Sequence, residues 1–312
     1  MRIPTRADLT ALLLRPLPYT ERPIPIADRD PDPGLFGPGS VTWEVMAEPL
    51  LMLGAGRALL MQAAHPLVAE GAIEHSSYAT EPFARFQRTV EWVTVVCFGT
   101  TAEARRASAA VNKLHIPVRG SLHRGHATPQ VHGGARYSGH DPDLLLWVHA
   151  TFVDTMLVSH DAFVGGLSSA DGDTFVREWG AVAALMGVPA ARLWPDRAAL
   201  RAYVDERVAS GVVAPGAGSR LVAKTVLNPP AWSAQTRAAF AVLSFTTVGL
   251  LPPAVRSGYR IGWTPAHAAA HAAIRLSVRR LRPALPERLR HSPVYDLAMD
   301  RIQGYPRGSE IA

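Results

Sequence analysis

The run HDPDLLLWVHATFVDTMLVSH, residues 140–160, limits what this chain can fold into more than any other stretch. Asp141 offers an N-cap oxygen, and Pro142 brings a φ already set for the first helical turn, so a helix opens there. From Leu144 to Val158 most side chains are apolar. A second such run, AAFAVLSFTTVGLLPP, occupies 238–253. Both fall short of the roughly 20 residues that a bilayer span requires, and both carry polar side chains. They read as central helices of a soluble protein, with the other helices gathered round them.

The rest of the chain keeps the same period. Residues 16–40 hold seven prolines and three glycines without periodicity, which makes 1–40 an extended arm. The short apolar run Ala11–Leu14 is too brief for a secretory signal. From Val41 the pattern turns helical, with Pro49 and Pro66 each marking a helix start or a kink. The GAG at 54–56 lets another element approach the backbone closely. A helix is expected over 81–98, with Gly99 as its C-cap. Thr100 and Glu103 then form a capping box that opens the next helix. Pro117 stops that helix and leaves His115 in its last turn. Residues 118–140, rich in Gly and His, read as a loop. Further helices fit 161–187, 196–210, 218–227, 233–250, 265–282 and 293–303. Strand-like alternation is nearly absent, so the expected fold is all-α, one globular multi-helix domain over 41–312.

Composition excludes some partners. The charge of +6, from 32 basic and 26 acidic side chains, comes without a run of five like charges, so no nucleic-acid groove is indicated. The basic segment RLSVRRLRPALPERLR, 275–290, fits an exposed helix, or peripheral contact with an anionic membrane surface or ligand. Cys97 is the one cysteine, which permits no internal disulfide. With apolar neighbours it reads as a small core residue, consistent with a reducing compartment, and the cytoplasm is the expected location.

Candidate chemistry rests on arginines and histidines. In EPFARFQRTVEW, residues 81–92, Arg85, Arg88, Thr89 and Trp92 follow the i, i+3, i+4, i+7 rule and share one stripe, opposite Phe86, Val90, Val93 and Cys97. The stripe is either a solvated face or a polar lining. His149 lies in the most apolar helix and His65 in MQAAHPLVAE; for both, a hydrogen-bonded core imidazole is the plain reading. His75 stands beside Glu74, where a capping role accounts for it equally well. His115 projects from a helix end. No Asp or Glu has a His three positions later, which disfavours a carboxylate di-iron bundle. The HAAAH at 267–271 lacks the Glu of a zinc-protease motif and reads as a surface pair. No Gly-x-Ser-x-Gly elbow, Walker loop or dinucleotide fingerprint is present.

Taken in order, GAGRALLMQAAHPLVAEGAIEHSSY, EPFARFQRTVEWVTVVCFGT, VNKLHIPVRG and YSGHDPDLLLWVHATFVDT resemble the MpaB-type oxygenases related to latex clearing protein, the bacterial rubber oxygenase. The likeness is strong over 41–165 and thinner beyond. It implies a helical enclosure around a b-type haem, with His115 of HIPVRG as the iron ligand. It also implies an Arg-x-x-x-Thr motif at Arg85 and Thr89, and a catalytic glutamate for which Glu70 or Glu74 stands. The sequence has lysine only at Lys113 and Lys224, so the family's distal lysine has no counterpart.

On this resemblance the stripe gains an anionic or polar partner. Arg88 would anchor a haem propionate through a charge-assisted fork, while Arg85 and Thr89 would donate to the reacting oxygen or orient the carboxylate. Trp92, His149 and His65 join as candidate cofactor contacts. The implied activity is a haem-dependent oxygenase taking dioxygen and an apolar small molecule, by oxidative alkene cleavage or hydroxylation. Two other readings stay open: a haem sensor or carrier without turnover, and a non-haem helical protein.

Overall fold

The computed structural model describes residues 26–27, 30–229, 234–286 and 289–304. Most of the expected N-terminal arm, residues 1–25, lies outside them. Its described end is anchored: Asp32 accepts from the Thr101 N–H at 2.8 Å, and the Asp32 carbonyl accepts from Arg301 at 2.6 Å.

Among the described residues the helices are α1 (Val41–Met46), α2 (Ala55–Ala63), α3 (Pro66–His75), α4 (Pro82–Phe98), α5 (Thr101–His115), α6 (Pro142–Phe163), α7 (Ser169–Leu185), α8 (Arg197–Ala209), α9 (Ala217–Leu227), α10 (Ala234–Leu250), α11 (Pro253–Gly258), α12 (Pro265–Leu281) and α13 (Pro293–Gln303). The fold is all-α, as the helical period dictates. The segment 118–140 differs from the loop expected of it. It holds a small antiparallel hairpin, β1 (Arg119–Ser121) with β2 (Arg136–Ser138), Gly120 facing Tyr137. Strands of three residues are too short to show alternation.

Helix α6 is the central element. Asp141 caps it by accepting from the Asp143 and Leu144 N–H groups, and Pro142 stands in its first turn. Buried residues lie on every side of it, Trp147 completely. Its neighbours are α2, α7, α8, α12 and the 3-10 turn Pro49–Gly54. The expected helix 161–187 starts later, at Ser169, because residues 161–163 complete α6 and a break follows. Gly165 and Gly166 take φ of 147° and 85° after α6, which L side chains rarely adopt, and Ser168 caps α7 through the Asp171 N–H at 3.1 Å.

The GAG segment packs as its composition requires. A Cβ on Gly54 would lie 1.8 Å from Ser159 Oγ of α6, and one on Gly56 would lie 2.4 Å from Thr247 Oγ1 of α10. Gly56→Ala is therefore expected to cost about 1–3 kcal/mol, the range for overpacking a dense core. A lowered urea midpoint with an unchanged slope is the sign of this; an unshifted midpoint would mean that α10 can move aside.

One buried ion pair ties the centre together. Arg57 of α2 is 2% exposed. Its Nη2 donates to Asp154 Oδ2 at 2.6 Å, Nη1 to Thr155 Oγ1 at 2.7 Å and Nε to the Leu250 carbonyl at 2.9 Å. The guanidinium thus joins α2, α6 and the end of α10.

Candidate functional site

Helices α4 and α5 pack side by side and carry Arg85, Arg88, Thr89, Trp92 and His115. Helix α4 enters the core only with its last turn: Val95, Val96, Cys97 and Phe98 are buried. Its first turns are more open. Arg85 is half-buried, while Arg88 and Thr89 are exposed. The Thr89 hydroxyl donates to the Arg85 carbonyl at 3.2 Å.

Both arginines reach back to the serines that follow α3. Arg85 Nη1 donates to Ser76 Oγ, and Arg88 Nη2 donates to Ser77 Oγ at 3.2 Å. Desolvation, then repulsion from Arg88, pushes the Arg85 guanidinium below its ordinary range against the pull of Tyr78. Among the described residues no carboxylate pairs with Arg85. The site therefore presents a partly desolvated positive charge balanced only by a neutral hydroxyl.

His115 ends α5. Its carbonyl accepts from Val118 N–H at 3.1 Å, and the Val118 carbonyl accepts from Gly139 N–H at 2.6 Å, so the exit of the hairpin closes over the helix end. The ring is half-buried, with Nδ1 buried and without a hydrogen-bond partner. Its centroid is 6.2 Å from that of His140. Desolvation, then His140, then Arg85 lower its pKa, which favours the neutral imidazole that binds a metal. Arg85 is the last and smallest of these influences. Trp92, half-buried, carries a second orphan, an indole Nε1 shielded from solvent without an acceptor.

The glutamates belong to a different group. Glu70, 2% exposed, accepts from His126 Nδ1 at 2.6 Å and from the His123 N–H at 3.3 Å. Glu74 accepts from the Tyr137 hydroxyl, and His75 Nε2 lies 3.8 Å from it. Desolvation and the bond to Glu74 both push the Tyr137 phenol up. Being i and i+4 on α3, the two carboxylates face the hairpin segment together. The structure thus brings Glu70 to His126 and not to Arg85. His123, His126 and Tyr137 escaped sequence reasoning; the Gly and His richness of 118–140 was their only signal.

Of the remaining histidines, His160 Nδ1 and His271 Nε2 are likewise buried without a hydrogen-bond partner. His65 caps α3, its Nδ1 accepting from the Leu67 N–H at 3.3 Å, and burial brings its pKa down to about 4. His149 stacks on Trp194, ring centroids 6.2 Å apart, and desolvation lowers it likewise to about 4. The HAAAH pair is not a surface pair. His267 caps α12 at Thr264, whereas His271 is 5% exposed, its ring against Gly249 and near Phe245 and Trp263. The helical period turns it inward.

Among the described residues no three His, Cys, Asp or Glu side chains gather to hold a metal ion. One neutral imidazole is enough, however, for an iron that a porphyrin already holds, and nearby guanidinium groups suit its propionates. The orphaned His115 Nδ1 and Trp92 Nε1 and the uncompensated Arg85 therefore fit such a group.

Residues 43–283, from α1 through α12, match the family described as ER-bound oxygenase mpaB/B'/Rubber oxygenase, catalytic domain. No curated protein and no solved structure gives a match. Among the described residues no helix is long and apolar enough to cross a membrane.

Proposed function

The chain belongs to the mpaB/rubber oxygenase catalytic-domain family, and on that premise we propose that it is a b-type haem-dependent oxygenase. Its substrates on this reading are dioxygen and an apolar small molecule, which is cleaved at an alkene or hydroxylated. The observation that carries the reading is His115: a neutral, half-buried imidazole at a helix end, its Nδ1 unpartnered, in the field of a cation with no counter-charge.

In this assignment His115 is the protein ligand to the iron. Arg88, exposed and swung to Ser77, is free to turn to a propionate; Arg85, held by Ser76, fixes a positive charge beside the reaction. Thr89 gives up its helix carbonyl to donate a hydrogen bond outward, and the Trp92 N–H supplies a further donor. Glu70, hydrogen-bonded to His126 Nδ1, and Glu74, on Tyr137, keep the hairpin closed on α3. A bound haem would supply the activation of dioxygen. Cys97, buried and free, accords with a reducing, cytoplasmic setting.

The test is pigment analysis of the purified protein. A Soret band and a b-type pyridine haemochrome are expected, both lost in His115→Ala and partly restored by added imidazole. A chain that stays colourless after reconstitution with hemin overturns the proposal. Oxygen uptake that depends on an added alkene separates an oxygenase from a haem carrier.

A further inference from the structure

From Arg207 to Pro286 the chain contains no aspartate or glutamate but ten arginines and lysines. The remainder of the chain holds 22 basic and 26 acidic side chains, so the modest net charge of +6 conceals a strongly polarised molecule. This acid-free stretch comprises α9, α10, α11 and α12. Helices α9 and α10 lie together on α2, and α10 also packs against α12, so their outward sides adjoin.

That face is apolar as well as basic. Of the nine large apolar side chains that are exposed among the described residues, five lie in this stretch. Leu221 of α9 is 50% exposed, Val242 of α10 51%, Leu276 and Leu281 of α12 49% and 65%, and Leu285 just beyond it 37%. Between them stand the exposed Lys224, Arg237 and Arg280. Isolated exposed leucines are ordinary, but several on packed helices, interleaved along the chain with cations and with no acidic residue in the same stretch, are not. A soluble acidic partner would match the charge and leave the leucines unexplained. A bilayer surface matches both, since arginine and lysine stems lie along apolar ground while their heads meet anionic headgroups.

We infer that the outer face of α9, α10 and α12 docks the protein peripherally on an anionic lipid bilayer. The charge is complementary to such a surface, and the leucines enter the headgroup boundary without any helix spanning the membrane. The surface is distinct from the His115 and Glu70 groups, and it stands whatever cofactor the chain binds.

The experiment is co-sedimentation of the full chain with sucrose-loaded vesicles, either phosphatidylcholine alone or phosphatidylcholine containing phosphatidylserine, at low and high salt. Binding is expected to the anionic vesicles at low salt and to fall as salt screens the charge. Lys224→Gln together with Arg280→Gln should lower the partition coefficient roughly 25-fold, about fivefold for each cation removed near the surface. Leu281→Ser should weaken binding without changing its salt dependence, and Arg201→Gln, on α8, should leave it unchanged. All four substitutions are at exposed positions, and circular dichroism checks that the variants fold. Equal binding to neutral vesicles, no binding to either, or an unaltered double variant overturns the inference. A dimer in light scattering that Leu281→Ser turns into a monomer also overturns it, because a second copy would then cover the face.

Discussion

Asp154→Ala is expected to destabilise the protein by about 3–5 kcal/mol, enough to remove a large part of the stability of an ordinary domain. The Arg57 and Asp154 side chains are 2% and 5% exposed, so bulk solvent does not screen the charge that loses its carboxylate. Arg57 would keep Thr155 and the Leu250 carbonyl as acceptors but would carry its charge into the core uncompensated. The pair is therefore costly to break and much less costly to replace. The double variant Arg57→Leu, Asp154→Leu should recover most of what the single change loses, because two apolar residues need no desolvation of charge. Urea unfolding of the two variants reads this directly. If the double variant falls as far as Asp154→Ala, the hydrogen bonds to Thr155 and Leu250, and not the charge, hold α2, α6 and α10 together.

Why the sequence revealed some of this and not the rest is a matter of range. The central α6, the Thr100–Glu103 capping box and the glycines at 54 and 56 are local signals: an N-cap followed by proline, a spacing of three, two residues without a Cβ. Each acts through its nearest neighbours, so a pattern is enough to read it. Arg57 and Asp154 are 97 positions apart, and Glu70 and His126 are 56 apart. Nothing in a helical period says which distant partner a buried charge will meet. The stripe on α4 was legible as a stripe, but its burial was not: only the last turn of that helix faces the core, and Arg85 and Arg88 are held by serines in the break after α3. His271 was misplaced for a related reason, since two imidazoles four positions apart look alike until α10 presents Gly249 to one of them.

Arg85→Ala is expected to lower turnover in substrate-dependent oxygen uptake by about 10²–10³-fold, the usual loss when an oriented donor is removed from a reacting centre. The Soret band should remain, because His115 is untouched. The way Arg85 is held sets the size of this loss. Desolvation and Arg88 both press on its charge, no carboxylate among the described residues relieves it, and a guanidinium does not escape by losing its proton. An arginine kept charged under those conditions is already oriented, Ser76 fixing one nitrogen and leaving the rest of the fork for a ligand. Arg88 differs: it is exposed and tied to Ser77 at 3.2 Å, so Arg88→Ala should change turnover only severalfold. Ser76→Ala should fall between the two, by loosening Arg85 without removing it. Equal turnover in wild type and Arg85→Ala, with haem bound in both, would mean that the stripe faces away from the reacting atoms and that the hairpin dyads, Glu70 with His126 and Glu74 with Tyr137, are the place to look for the proton chemistry.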